Sequence, residues 1–238
     1  MKRDEVSVMT APAVVARSET ADRYLEAIYY IEHEGEVARP GRLAEWLGVS
    51  APTVTVTLQR LARDGWVRIA GDRSADLTDA GADAAATIVR RHRIVERWLT
   101  DVLGLDWATA DREAASLSHG ISPTVLDRLD ALLGHPSTCP HGNVIPGRQP
   151  PKGARLVRLT ELRPGDSAMV ARISEVAEHE APQLLMALDS HGLTPGVEVR
   201  VQEVDRGSWR LNTGGREVDI DETVARAIWV ARSGVSLG

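Results

Sequence analysis

The 238-residue sequence contains no phenylalanine and a single cysteine, Cys139. One cysteine cannot form an intramolecular disulfide, so nothing here argues for an oxidising compartment. No apolar stretch is long enough to span a bilayer as a helix, and no membrane partner is expected. Residues 8–16 are mildly apolar, but Asp4 and Glu5 precede them and Pro12 interrupts them. A loose tail is therefore expected there, not a secretory signal, and the protein reads as cytoplasmic. Positive charge is scarce as well: the net charge is −6, which does not suit a nucleic-acid binder taken as a whole. With Phe absent, Trp46, Trp66, Trp98, Trp107, Trp209 and Trp229 supply the bulk its cores require. There is no helical His-Glu-x-x-His run and no activated nucleophile, so an enzyme is not expected.

The basic charge that does exist is concentrated. Between residues 39 and 73, Arg39, Arg42, Arg60, Arg63, Arg68 and Arg73 face only Glu45, Asp64 and Asp72, a local formal charge of +3. The same stretch has the pattern of a winged helix-turn-helix. A helix carrying Leu43, Ala44 and Leu47 ends at the tight turn Gly48-Val49-Ser50. Ser50 then stands where an N-cap belongs, and Pro52 is tolerated in the first helical turn. The next helix buries Val54, Leu58 and Leu61, which turns Thr53, Val56, Arg60 and Arg63 outward, where a major groove would be read. Two short runs, 67–69 and 75–77, form a wing with a polar tip. One signal conflicts: residues 53–57 alternate Thr and Val and would be a strand in isolation, but helical patterns on both sides outweigh this.

The organisation beyond this block is legible in outline. Residues 19–33 place Leu25, Ile28, Tyr29 and Ile31 on one face of a helix. Thr78 is a plausible N-cap for a long helix reaching Val102, broken by Gly104. Helices over 108–119 and 123–133 follow, and such helices after a winged helix are usually dimer-forming. A homodimer would match a palindromic operator in double-stranded DNA. Residues 134–154 are rich in Pro and Gly and read as a linker or clamp. Short strands are expected at 156–162, 167–173, 198–204, 209–211 and 217–220, with one helix at 181–190 between them, suggesting a small closed β-barrel. The fold class is thus α+β. The expected units are a tail (1–18), a winged helix (19–83), a helical dimerisation and metal-binding domain (84–142), a linker (143–154) and the barrel (155–238).

The stretches 21–35 (ADRYLEAIYYIEHEG), 39–78, 90–107 (RRHRIVERWLTDVLGLDW) and 139–147 (CPHGNVIPG), followed by a β-rich module, resemble the diphtheria toxin repressor family of metal-dependent transcriptional regulators. The resemblance runs over nearly the whole chain in the family's order. It implies a C-terminal Src-homology-like barrel and a dimeric repressor of metal-ion homeostasis genes that responds to Mn(II) or Fe(II). By that resemblance Ser50, Pro52, Thr53, Val56, Arg60, Arg39 and Arg73 face DNA. Relatives usually carry Gln where Val56 stands, and Val can only pack on a thymine methyl, so the operator should differ from the common one.

For the metal, the resemblance implies an ancillary site of His92, Glu96 and Asp111, completed by Glu180 and Gln183 from the barrel. His92 and Glu96, four apart, project from one helix face. Without the family context a surface i, i+4 pair is the more ordinary reading. The primary site departs from the family. Arg23, Ala115 and Ser118 stand where relatives carry ligands, while Glu26 and His119 match. Arginine cannot coordinate a cation and stays charged, which leaves two readings open: the guanidinium replaces the missing ion, or it simply points to solvent. His119 reads as a hydrogen-bonded remnant, and His135, Cys139 and His141 read as loop residues because one Cys with uneven spacing is a weak metal signal.

Two other readings compete with a metal-dependent repressor of altered metal dependence. One is an adaptor that binds a partner through its barrel, with a vestigial winged helix. The other is a metallohydrolase built on His92, Glu96 and Asp111. DNA binding makes a direct prediction. Arg60→Ala should weaken binding to every DNA sequence and flatten its dependence on salt, read from affinity measured across a salt series.

Overall fold

The computed structural model describes residues 17–150 and 155–232, so most of the tail expected over 1–18 and residues 151–154 of the linker lie outside the described residues. Helix α1 (Glu19–His33) opens the fold, its N-terminus capped by the Ser18 hydroxyl. It packs with α2 (Pro40–Leu47) and α3 (Ala51–Arg63). Gly48, at φ 65°, ends α2 in the left-handed conformation that makes the tight turn. Ser50 caps α3 by accepting the Thr53 N–H. The β-branched run is helical because Ser50 caps it and Val54, Leu58 and Leu61 are buried in the core, while the Thr55 and Thr57 hydroxyls donate to the carbonyls of Ala51 and Thr53, four residues back. The wing is the antiparallel pair β1 (Val67–Ile69) and β2 (Ala75–Leu77).

Helix α4 (Asp79–Asp101) joins two cores. Its first half gives Ala84, Ala85, Ile88 and Val89 to the core shared with α1 to α3. Its second half sets Val95 and Leu99 against Ala110 and Ala114 of α5 (Trp107–Leu117). On α6 (Pro123–Leu132) Leu126 packs against this cluster, but Val125 and Leu132 are exposed, as are Val102, Leu103 and Leu117. The Pro- and Gly-rich stretch is a folded clamp up to residue 148. Cys139 and Ile145 are buried, Thr138 bridges Val144, and Arg90 and Arg148 converge on the buried Asp130 of α6.

The C-terminal unit is an antiparallel six-stranded sheet in the order β3-β8-β4-β5-β6-β7. These are β3 (Leu156–Arg158), β4 (Ser167–Ile173), β5 (Glu198–Asp205), β6 (Ser208–Thr213), β7 (Arg216–Asp221) and β8 (Ile228–Arg232). Three expectations change here. The first strand stops at Arg158, because the Glu161 carboxylate accepts the Arg158 N–H and folds residues 159–161 into a 3₁₀ turn. The single expected helix is two, α7 (Glu175–Glu180) and α8 (Pro182–His191), since Pro182 holds Ala181 outside helical geometry. Strand β8, which the hydropathy pattern did not reveal, lies between β3 and β4. Helix α9 (Glu222–Ala227) packs between the edge strands β3 and β7, which do not pair among the described residues. Trp107 of α5 is part of the sheet's core, so this unit and the helical domain share apolar surface.

Gly81 fixes how α4 leaves the wing. A Cβ there would lie 1.9 Å from the Trp66 carbonyl oxygen. Gly81→Ala must therefore push α4 off β1, at a cost of about 1–3 kcal/mol by the usual measure of overpacking. Chemical denaturation should show that loss; an unchanged midpoint would mean that the contact relaxes freely.

Candidate metal centre and nucleic-acid interface

The outward face of α3 is free. Pro52, Thr53, Val56, Arg60 and Arg63 are all exposed, Val56 at 67%. An apolar side chain held that far out of the core carries no folding role, which suits contact with a base methyl. Ser50 and Thr53 share a hydroxyl hydrogen bond of 2.8 Å, so the two are oriented together at the start of the helix. At the wing tip Arg73 is exposed with φ 67°, and Arg39 reaches Asp72 at 3.2 Å. Hydrogen bonds from the Ser74 hydroxyl and N–H hold the Asp72 carboxyl below its ordinary value, and those bonds shape the turn that presents Arg73.

Three of the five residues expected at the ancillary site come together. The donor atoms of His92, Glu96 and Asp111 all lie within 4.8 Å of one another, and His92 Nε2 is 3.2 Å from Asp111 Oδ1. Gln183 is exposed on α8 and does not line this cavity, because the break at Ala181 redirects the second helix. The Glu180 side chain lies outside the described residues. From the same segment His179 lines the cavity instead, stacked on Trp46 at 4.1 Å, with Nε2 2.7 Å from the Trp46 carbonyl oxygen.

A second donor group was not expected. Cys139 and His141, although in a loop, are buried with Glu96, their donor atoms again within 4.8 Å of one another. His141 Nδ1 is 2.8 Å from Glu96 Oε1, and its ring meets the edge of Trp107. Gly142, at φ +85°, makes this possible: a Cβ would lie 2.2 Å from the Ala171 carbonyl oxygen of β4. The sequence signal was the short Cys-Pro-His-Gly run. It lacked meaning without knowing that Glu96, 43 positions before Cys139, sits opposite.

His92, Glu96, Asp111 and Cys139 line one cavity of about 380 Å³ together with the degenerate primary positions, whereas His141 is buried and does not line it. Arg23 is exposed, its Nη2 3.5 Å from the Leu47 carbonyl oxygen. Glu26 accepts the Tyr30 hydroxyl at 3.3 Å, Ser118 is buried, and His119 Nδ1 lies 3.0 Å from the Ala115 carbonyl oxygen. Buried Arg93 pairs with Glu175 at the cavity wall and donates to the Val144 carbonyl.

The charge balance of the cavity tests whether a cation fits. Burial pulls the His92 imidazole down, yet the hydrogen bond and charge of Asp111, helped by Glu96 and Glu26, raise it to about 9. Burial pushes Asp111 up, and His92 more than offsets this, leaving its carboxyl low. A cluster that prefers to keep a proton on a largely buried imidazole is short of positive charge. Nitrogen, carboxylate and one sulfur donor therefore form a reasonable set for a divalent transition ion.

Three domain families of known proteins match the chain in succession. Residues 17–75 match the model of the iron dependent repressor N-terminal DNA binding domain. Residues 78–147 match its metal binding and dimerisation domain, and residues 157–232 match the FeoA domain. The iron-dependent repressor IdeR of Mycobacterium tuberculosis (strain ATCC 25618 / H37Rv) is 37% identical over 225 residues, covering 90% of this chain and 97% of that protein. The diphtheria toxin repressor of Corynebacterium diphtheriae is 34% identical over 219 residues, covering 88% and 96%. Among solved structures, a manganese-dependent transcriptional repressor in complex with manganese is 35% identical with a TM-score of 0.80, over 89% of this chain and 99% of that one. The manganese regulator SloR is 27% identical with a TM-score of 0.71, over 90% and 98%.

The fold and the site thus define a DNA-binding regulator of the metal-dependent type. The chain belongs to the iron-dependent repressor family, whose members are transcriptional repressors and not enzymes. The adaptor and hydrolase readings are set aside.

In metal-free protein the His92–Asp111 pair should contribute about 1–2 kcal/mol, allowing for screening at the part-exposed Asp111. Because the folded pKa of His92 is raised, its contribution is complete below 6.5 and lost as pH climbs through about 9. Unfolding of chelator-treated wild type and His92→Gln across that range should converge at the alkaline end. A constant difference between them would contradict the pairing.

Proposed function

We propose that the chain is a homodimeric, cytoplasmic repressor that binds a palindromic operator through α3 and the wing. Glu96 is the centre of its metal response. The observation that carries this reading is that one buried carboxylate faces two donor groups, His92 with Asp111 and Cys139 with His141. Those residues come from α4, α5 and the clamp loop, so holding them together fixes α4. The other half of α4 is a wall of the DNA-binding core. A bound divalent ion would supply the positive charge that the proton on His92 otherwise provides. Oxygen and nitrogen donors alone suit Mn(II) or Fe(II), and the Cys139 sulfur moves the preference of the second group towards softer ions. The uncovered Val102, Leu103, Leu117, Val125 and Leu132 are the surface a second copy would cover.

Metal dependence is altered at the primary positions. Arg23 brings a permanent cation to the edge of the cavity and already reaches across to the end of α2, while Ala115 and Ser118 offer no carboxylate. The wild type should therefore bind its operator measurably in excess chelator and more tightly with Mn(II) or Fe(II). Glu96→Gln should abolish the gain from metal, and Arg23→Met should lower the chelator-resistant binding. Operator affinity measured with and without chelator reads all three. Metal enhancement that survives in Glu96→Gln would remove Glu96 from the centre, and Arg23→Met indistinguishable from wild type would make Arg23 a bystander.

A further inference from the structure

At the end of α1, Glu34 is buried, with no exposed side-chain surface. Its carboxylate accepts hydrogen bonds from Arg158 Nη2 at 2.9 Å, from Arg172 Nη1, from Trp229 Nε1 at 3.2 Å and from the Glu175 N–H at 3.3 Å. All four donors belong to the C-terminal unit. Arg158, Trp229 and Arg172 sit side by side on β3, β8 and β4, because Trp229 is the register partner of both arginines. The two guanidiniums also flank the indole, 3.9 and 4.6 Å from its ring centre. Three neighbouring strands thus present a cation–indole–cation row, and it closes on one carboxylate of the DNA-binding domain.

We infer that this row is a docking socket for Glu34, which sets the winged helix in its DNA-binding orientation; the inference rests on the DNA-binding reading above. A buried ion pair adds little net stability over apolar contact, but it penalises every pose in which the charges are not met. Further contacts keep the same pose: Val176 of α7 enters the core around α1, and His179 stacks on Trp46 of α2. These contacts fall on α1 and α2, so the face of α3 remains open to DNA. The socket also touches the metal cavity. Arg172 donates to Asn143 Oδ1 at 3.3 Å, and Glu175, whose N–H meets Glu34, pairs through its carboxylate with Arg93 beside His92. A freely swinging winged helix would have to be ordered whenever a dimer engages two half-sites, and affinity would fall accordingly.

Glu34→Gln keeps the shape and removes the charge, leaving two guanidiniums facing each other. With saturating Mn(II), it should lose about tenfold or more in operator affinity, in the range of ordinary coupling between sites. Small-angle scattering should show a larger radius of gyration at an unchanged dimer mass. Arg158→Gln, on an edge strand, should show a weaker form of both effects, and the double variant should be little worse than Glu34→Gln alone. It also carries the test if Glu34→Gln fails to fold. Wild-type affinity and wild-type scattering in the folded variants would overturn the socket. If the wild type itself bound no operator, the DNA-binding reading would fail, and scattering alone would then decide the socket, a compact variant overturning it.

Discussion

A carboxylate removed from water must find positive charge or hydrogen-bond donors, and two of the buried ones, Glu34 and Glu96, sit where parts of the fold meet. Glu34 sits between the winged helix and the sheet, Glu96 between the long helix and the clamp loop. The solutions differ in kind. In the folded chain Glu34 is satisfied by fixed cations that the chain itself supplies, so its environment needs no added ion. Glu96 is surrounded by groups that share a proton and could exchange it for a metal ion. One carboxylate is therefore built for permanence and the other for change, and Arg93, Glu175 and Asn143 lie on the short path between them.

Much of the fold was legible because its signals are local. Ser50 and Thr78 announce helix starts through side chains that cap nearby N–H groups, and Gly48 announces a helix end. The outward face of α3 followed from helical spacing alone, and burial of Val54, Leu58 and Leu61 explains why a strand-like composition is helical. What escaped depends on distance in sequence. Strand β8 joins the sheet between β3 and β4, its register partners lying from 55 to 75 residues earlier, and its neighbours cannot be read from its own pattern. Cys139 and His141 looked like loop residues because they are in a loop. Their burial comes from Gly142 pressing that loop onto β4.

The site shows the same division. His92 and Glu96 share a helix face, so their pairing is a matter of spacing, and Asp111 joins them because α5 packs back on α4. Gln183 was expected from resemblance and depends on the path of one helix, which Pro182 breaks. Trp229 was taken for core bulk, but it is only half-buried and lies between two arginines. Its indole N–H is what gives it a partner across the domain boundary.

The order of the strands has a consequence for synthesis. The DNA-binding domain is made before the sheet, and α1 to α3 with the first half of α4 supply most of its core, so it can fold while the rest is still on the ribosome. The sheet cannot close until β8 arrives to fill the gap between β3 and β4, and such distant pairings form slowly. Trp229 lies on that strand, so Glu34 stays hydrated and without its full set of partners through most of translation. A nascent chain can thus carry a finished reading head well before anything holds it in place.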